Sequence, residues 1–398
     1  MKSLFTKTCC IAFAVLFLAL AMAGCGNTGA SQTDEPTSAA TENAENTAKP
    51  FSVAVREISK HGNVVLNTTF DEMKAYDMEV GDLITVTVGE ASYDLPVGTA
   101  FTDVDSGDMI CRFDTEDNEV AIAVNMGSFA ADAGIGEKKE IEEEPGYQWD
   151  VKVSELTLVL KEKKGYLDEY NARNLTRTDA REDYAALSDE EFANFRAVSV
   201  TGMKENVLYR SSTPIEPAIG RNEYAMAAME KAGVKTVINL DDSVEIMEGY
   251  ATYPGSYYSR CKVFNAEMNY DFGSEEFAAK VKESVLFILE NDGPYLIHCK
   301  EGKDRTGILC AILECFVGAS AQDVETDYML TYVNYYGVKP EDTSYGIILK
   351  NNLVKTLCGL YQIDSLETAD LKEKAEAYLL STGLTAEQLF ALTAKLQK

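Results

Sequence analysis

The chain has 398 residues, 46% of them hydrophobic, which is enough for two or three domains with buried cores. Its formal charge of −29 excludes nucleic acid as a general partner, because an acidic surface repels a phosphate backbone. Any phosphate chemistry must therefore use a local positive pocket.

Lys2 and Lys7 precede an apolar run from Cys9 to Met22 and then Ala23-Gly24-Cys25. This layout predicts a secretion signal over 1–24; the apolar run is only marginally long enough to act as an uncleaved membrane anchor. The small residues before Cys25 resemble the bacterial lipoprotein lipobox, although Met22 stands where leucine is usual. The resemblance implies diacylation of Cys25 and an extracytoplasmic chain anchored to the cell membrane as a lipoprotein. Residues 26–50 lack large apolar side chains, so 25–50 reads as a flexible linker. The later cysteines, Cys111, Cys261, Cys299, Cys310, Cys315 and Cys358, are too scattered for a disulfide framework.

Residues 51–162 form a β-rich domain. Seven short alternating or β-branched runs, "FSVAVREI", "GNVVLNT", "DLITVTV", "ASYDLPV", "MICRF", "EVAIAV" and "KVSELTLVL", predict a small all-β sandwich or barrel. "DTEDN" reads as a hairpin turn, and "DVDSGD" as turn chemistry around Asp103, Asp105 and Asp108 rather than a calcium loop. "EKKEIEEE", Glu137 to Glu144, reads as a solvated loop. The order of "HGNVVLNTTF", "VGDLITVTVG", "DVDSGDMI" and "NEVAIAVNMGSFAADAGI" resembles the C-terminal β domain of the S-adenosylmethionine hydroxide adenosyltransferase family. That domain supplies half of an adenosine pocket, and the larger domain that completes it has no counterpart here. The resemblance marks Asn63 and Asn125-Met126-Gly127-Ser128 as remnants of a ligand site; the plainer reading is a spacer or protein-contact module.

From 163 to 398 the rhythm changes. Strands "NVLYRS", "VKTVINL" and "PYLIH" alternate with the helical stretches "NEYAMAAMEKAG" and "EEFAAKVKESVLFILEN", and the tail after Asp323 is largely helical. This predicts an α/β domain with a mainly parallel sheet and helices on both faces.

The segment "HCKEGKDRTG" joins the buried strand "PYLIH" to the amphipathic helix "TGILCAILECFVG". It therefore lies at a strand's carboxyl end and a helix's amino end, where backbone N–H groups lack partners. Such a loop can wrap a dianion in a nest of amides, with Gly302 allowing the curvature and Arg305 presenting a planar fork. The same field stabilises a thiolate at Cys299.

Residues 298–307 resemble the signature loop of cysteine-dependent protein tyrosine phosphatases, of the bacterial and fungal type, matching HC-x-x-G-x-x-R-T-G without a gap. "FANFRAV", "VLYRSS", "VKTVINL" and "VETDYMLTYV" resemble further landmarks of that family over residues 190–398. One departure is that Asn239-Leu240-Asp241 stands where the family usually reads Asp-Leu-Arg. The resemblance implies a phosphoric monoester hydrolase in which Cys299 forms a phosphocysteine, Arg305 binds the equatorial oxygens, Thr306 steadies the thiolate and His298 orients the loop. Lys300, Glu301, Gly302, Lys303 and Asp304 complete the phosphate-binding loop. No cofactor or metal is implied. The general acid is assigned to Asp271, 28 residues before Cys299; Asp304 is the rival, and Asp241 and Asp242 come third. The expected substrate is phosphotyrosine on protein. Lys300 and Lys303 keep open a phosphoinositide or inositol-phosphate phosphatase, and a phospholigand-binding pseudophosphatase or a nucleoside or protein receptor built on the β domain are the non-enzymatic readings. Cys261 is a candidate for protecting Cys299 through a reversible disulfide, beside its plainer reading as a buried thiol.

Overall fold

The computed structural model describes residues 49–142 and 144–398. The expected signal segment, lipidation at Cys25 and the linker up to residue 48 lie outside the described residues. Among those described, no helix is long and apolar enough to cross a membrane.

The first nine strands are β1 (Phe51–Ile58), β2 (Val64–Leu66), β3 (Leu83–Val88), β4 (Ala91–Gly98), β5 (Met109–Asp114), β6 (Glu119–Val124), β7 (Gly136–Glu140), β8 (Tyr147–Val151) and β9 (Glu155–Glu162). Seven of them close into a barrel in the order β1-β2-β6-β5-β4-β3-β9, with β9 returning to β1. Period-two alternation drives this closure. In β3, Ile84, Val86 and Val88 face the interior beside Phe113, Ile122 and Leu158, while Leu83, Thr85 and Thr87 stay partly exposed. The seven barrel strands correspond to the seven runs read from the sequence. The expected loop at "EKKEIEEE" is corrected: its first half is β7, which pairs with β8 as a separate hairpin. Diagonal ion pairs, such as Lys139 to Asp150 at 3.1 Å, offset the like charges of Glu137 and Asp150 that stand directly opposite, and β7 shows none of the apolar alternation that marks the barrel strands.

The C-terminal sheet contains β10 (Arg196–Ala197), β11 (Leu208–Ser211), β12 (Thr236–Asn239), β13 (Lys262–Asn265) and β14 (Tyr295–His298), in the order β10-β11-β14-β12-β13. All its pairs are parallel except β10 with β11. β11, β12 and β14 are buried along their whole length, as expected of strands covered on both faces. Ile238, Tyr295 and Ile297 pack with the helices Glu275–Glu290, Asp304–Val317 and Ala321–Tyr336, whereas Val237 and Leu296 pack with Asn222–Lys231. Ser211, Asn239 and His298 end their strands in one register row, which aligns three carboxyl termini at a single edge.

The helix Leu167–Arg173 ties this domain to the barrel. Tyr166 donates to the Asp103 carbonyl at 2.8 Å, Asn174 to the Asp103 carboxylate at 2.9 Å, and Arg173 pairs with Asp105 at 3.0 Å. Asp103 is buried as an acceptor for the amides of Thr99 and Ala100, so "DVDSGD" is turn chemistry.

Candidate active site

The loop from Cys299 to Arg305 leaves β14 at that shared edge and enters the helix Asp304–Val317. Its carbonyl groups are gripped from outside. Thr213 N donates to Lys300 O at 3.0 Å, Asn194 Nδ2 to Glu301 O at 3.0 Å, and Arg210 Nη2 to Gly302 O at 2.8 Å and Lys303 O at 3.3 Å. Because each peptide unit is planar with N–H opposite C=O, pulling the carbonyls outward turns the following amides inward. Gly302, at φ +68°, makes the bend; a Cβ there would lie 2.2 Å from Ser211 O.

Cys299 lies at the start of this nest and is 3% exposed. Arg305 is held over it: Nη1 donates to Leu240 O and Met268 O at 3.3 Å each, Nη2 meets Asp241 at 2.7 Å, and the guanidinium lies 4.5 Å from the Tyr270 ring centroid. Arg305 Nε and Thr306 Oγ1 are buried without a hydrogen-bond partner among the described residues. In a protein interior such groups are costly unless they serve a site, and both belong to the loop that the amides line.

His298 is fully buried. Its Nδ1 is 3.4 Å from the Cys299 carbonyl, which can only accept, so the hydrogen is assigned to Nδ1 and Nε2 accepts from Tyr258 at 2.7 Å. Burial pushes the imidazole down to about 4, so it is neutral near pH 7 and contributes orientation rather than charge.

The remaining loop side chains turn away from the nest. Lys300 pairs with Glu216 at 2.8 Å, and Glu301 with Arg177 at 2.7 Å. Lys303 lies 3.3 Å from Glu301 and 3.6 Å from Asp304, over the rings of Tyr332 and Tyr336. Every cation of the loop thus has a carboxylate partner. Asp304 accepts from Tyr332 at 3.3 Å, and burial pushes its carboxyl up. It lines a cavity of about 250 Å³ with Thr102 of the barrel, Arg173 and Asn352. Asp271 is exposed in the loop before Glu275–Glu290, directly after Tyr270, which is 61% exposed. Asp242 is buried and accepts from Tyr250 at 2.9 Å, whereas Asp241 reaches Arg305.

The residues that sequence reasoning left without a role form the brace behind the loop. Asp327 bridges Arg196 at 2.8 Å and Arg210 at 2.6 Å, and Arg196 also holds Asn194 Oδ1 at 2.6 Å. Burial pushes the Asp327 carboxyl up, but the two guanidinium groups outweigh it and hold it well below the usual carboxylate range. The signal was present: "NFR", "YRS" and "DYMLTYV" each set a charged residue in an apolar run, and the fold brings the three together under the signature loop.

Two further expectations meet the structure elsewhere. Asn63 and Asn125 to Ser128 do converge, on a groove of about 930 Å³ that also includes Phe101, Trp149 and Lys138. The disulfide between Cys261 and Cys299 is excluded. Lys262 and Tyr295 share a register row, so Cys261 precedes the parallel sheet and Cys299 follows it, about 16 Å apart at roughly 3.3 Å per residue. A disulfide needs its Cα atoms within about 7 Å.

A model of the tyrosine phosphatase family matches residues 189–398, and one of the SAM hydroxide adenosyltransferase C-terminal domain matches 55–142. No curated protein matches the chain. Among solved structures, an uncharacterized conserved protein from Thermotoga maritima is 24% identical over 28% of this chain, with a TM-score of 0.22; the match spans only 36% of that protein's length. TpbA from P. aeruginosa in complex with pTyr is 17% identical over 50% of this chain and 94% of its own, with a TM-score of 0.29. The core catalytic domain of the S. cerevisiae PP-IP phosphatase SIW14 is 17% identical over 40% of this chain and 85% of its own, with a TM-score of 0.26. The chain belongs to the tyrosine phosphatase family of cysteine-dependent hydrolases, its catalytic domain preceded by a β barrel similar to the SAM hydroxide adenosyltransferase C-terminal domain.

Proposed function

We propose that this protein removes phosphate from phosphotyrosine on proteins outside the cytoplasm, tethered to the membrane by a lipid on Cys25. The observation that carries the substrate reading is that both lysines of the signature loop are taken up by carboxylates, Lys300 by Glu216 and Lys303 by Glu301. An anion must be bound by inward amides, the helix terminus and Arg305, which suits one phosphate; a polyphosphate would also need free cations.

In this reading Cys299 Sγ attacks phosphorus and the P–O bond to the tyrosine oxygen breaks, giving a phosphocysteine. Arg305 and the loop amides carry the equatorial oxygens, and Asp271 gives its proton to the departing phenolate. Water then attacks the phosphocysteine while Asp271 takes a proton back, and Thr306 stabilises the thiolate that leaves. Asp304 is the second reading for the acid: burial raises its carboxyl, and to act it must leave Tyr332 and turn toward the nest.

The test is phosphate release by the mature chain, without metal, from a phosphotyrosine peptide, phosphoinositides and inositol hexakisphosphate, beside Cys299→Ser. Release from the peptide that vanishes in the variant supports the reading. Preference for an inositol phosphate overturns the substrate, and binding without release overturns the catalysis. The tether is checked by mass spectrometry of the N-terminal peptide; an unmodified Cys25 in the membrane fraction overturns it.

A further inference from the structure

We propose that Asp241 sets the charge preference of the site, favouring a phosphotyrosine flanked by a lysine or arginine and disfavouring clustered phosphates. The proposal rests on the hydrolytic reading of Cys299. It starts from an acidic side chain placed against the phosphate-binding arginine. Asp241 Oδ1 lies 2.7 Å from Arg305 Nη2, on the fork that would hold phosphate oxygens.

The carboxylate is held there by its loop. Asn239 Oδ1 accepts from the amides of Asp241 and Asp242 at 3.0 and 3.1 Å, and Asn239 Nδ2 donates to the Asp242 carboxylate at 3.0 Å. Tyr250 and Asn265 anchor Asp242 from two further elements, at 2.9 and 3.0 Å. This Asx-type turn fixes the backbone that carries Asp241, which remains partly exposed at the mouth. On the neighbouring side Glu216 neutralises Lys300.

A phosphate on Arg305 therefore sits next to a fixed negative charge. A second phosphate nearby would meet that charge with no unpaired cation of the loop to offset it. A cationic side chain beside the phosphotyrosine would instead face Asp241 directly.

The experiment compares kcat/KM of the mature chain for two phosphotyrosine peptides that differ only in flanking lysine or glutamate. Para-ammoniomethyl and para-carboxy phenyl phosphate form a second pair without a peptide. The expected ratio is about tenfold in favour of the cationic member, or ~1.4 kcal/mol. It should shrink to within about twofold in Asp241→Asn and invert in Asp241→Arg. A role limited to positioning Arg305 would lower both members together and leave the ratio unmoved. An equal ratio in the parent and Asp241→Asn overturns the proposal, as does faster hydrolysis of the glutamate peptide or of inositol hexakisphosphate. If the small phosphates show the ratio while neither peptide reacts, Asp241 keeps its role and the protein substrate falls. No release from any of them overturns both.

Discussion

Asp327 is the residue whose loss should connect folding most directly to the active site. Its carboxylate holds Arg210, which is 1% exposed and carries the Gly302 and Lys303 carbonyls, and it also holds Arg196. Asp327→Asn keeps the shape but leaves two guanidinium groups facing a neutral amide. Removing one partner of a buried ion pair costs about 3–5 kcal/mol, against a total stability of about 5–15 kcal/mol for a domain. Glu314 lies in the same buried cluster, so its ionisation can offset part of the loss and place the result near the lower end. The assay is urea unfolding followed by far-ultraviolet circular dichroism and by fluorescence. The single tryptophan, Trp149, is in β8 and so reports on the N-terminal domain. The variant should lower the unfolding free energy of the dichroism transition by about 3 kcal/mol, and kcat/KM should fall at least tenfold where the protein remains folded, because the outward grip on the loop is weakened. A loss under about 1 kcal/mol with unchanged kcat/KM would refute the reasoning, since neither the ion pair nor the brace could then matter.

Three further outcomes are expected. Asp271→Asn should lower kcat for a phosphotyrosine peptide by about 10²-fold but much less for p-nitrophenyl phosphate, whose leaving group needs little protonation; the same pattern in Asp304→Asn instead would move the acid to Asp304. Gly302→Ala should abolish measurable turnover, because positive φ costs about 1–3 kcal/mol and the new Cβ would meet Ser211 O; near-normal turnover would contradict the loop geometry. Glu314 is buried beside Asp327, and burial, with that neighbouring carboxylate, raises its carboxyl well above the ordinary range. A raised folded value adds stability below the unfolded value and loses it as pH rises, so Glu314→Gln should gain on the parent by about 1.4 kcal/mol per pH unit from roughly 4.3 until the raised folded value is reached, and level off there. Parallel pH–stability curves in urea would rule that out.

The strand-to-helix placement of the signature loop was legible because the pattern is local: Cys299, Gly302, Arg305 and Thr306 lie within eight residues of one another, after a short apolar run and at the start of an amphipathic one. The barrel was legible because burial imposes alternation, as in β3. Partners from distant parts of the chain were not. Glu216 and Lys300 are 84 residues apart, so the sequence could present Lys300 as a free cation while the fold neutralises it. Asp241 was legible as a departure from the family pattern, but its grip on Arg305 depends on β12 and β14 ending in the same row. β7 was hidden for a different reason: every residue of it but Gly136 is exposed, and the burial of this hairpin is carried by Trp149 of the opposite strand, so β7 itself shows no apolar period.

The same pairing of cations makes a prediction about salt. Enzymes with basic pockets attract anionic substrates over long distances and lose that advantage as salt screens it. This chain has a formal charge of −29, and the cations of its signature loop are each matched by carboxylates, so its long-range field should repel an approaching phosphate dianion. Attraction begins only within a few ångströms, where amides and Arg305 make direct contact. Raising ionic strength from about 10 mM to 150 mM shortens the Debye length from roughly 30 to 8 Å, which removes repulsion and leaves contact distances nearly unscreened. KM for phosphotyrosine peptide should therefore fall over this range while kcat stays constant. A KM that rises with salt would show a net attractive field at the mouth, and the matched ion pairs would then be the wrong description of the site in solution.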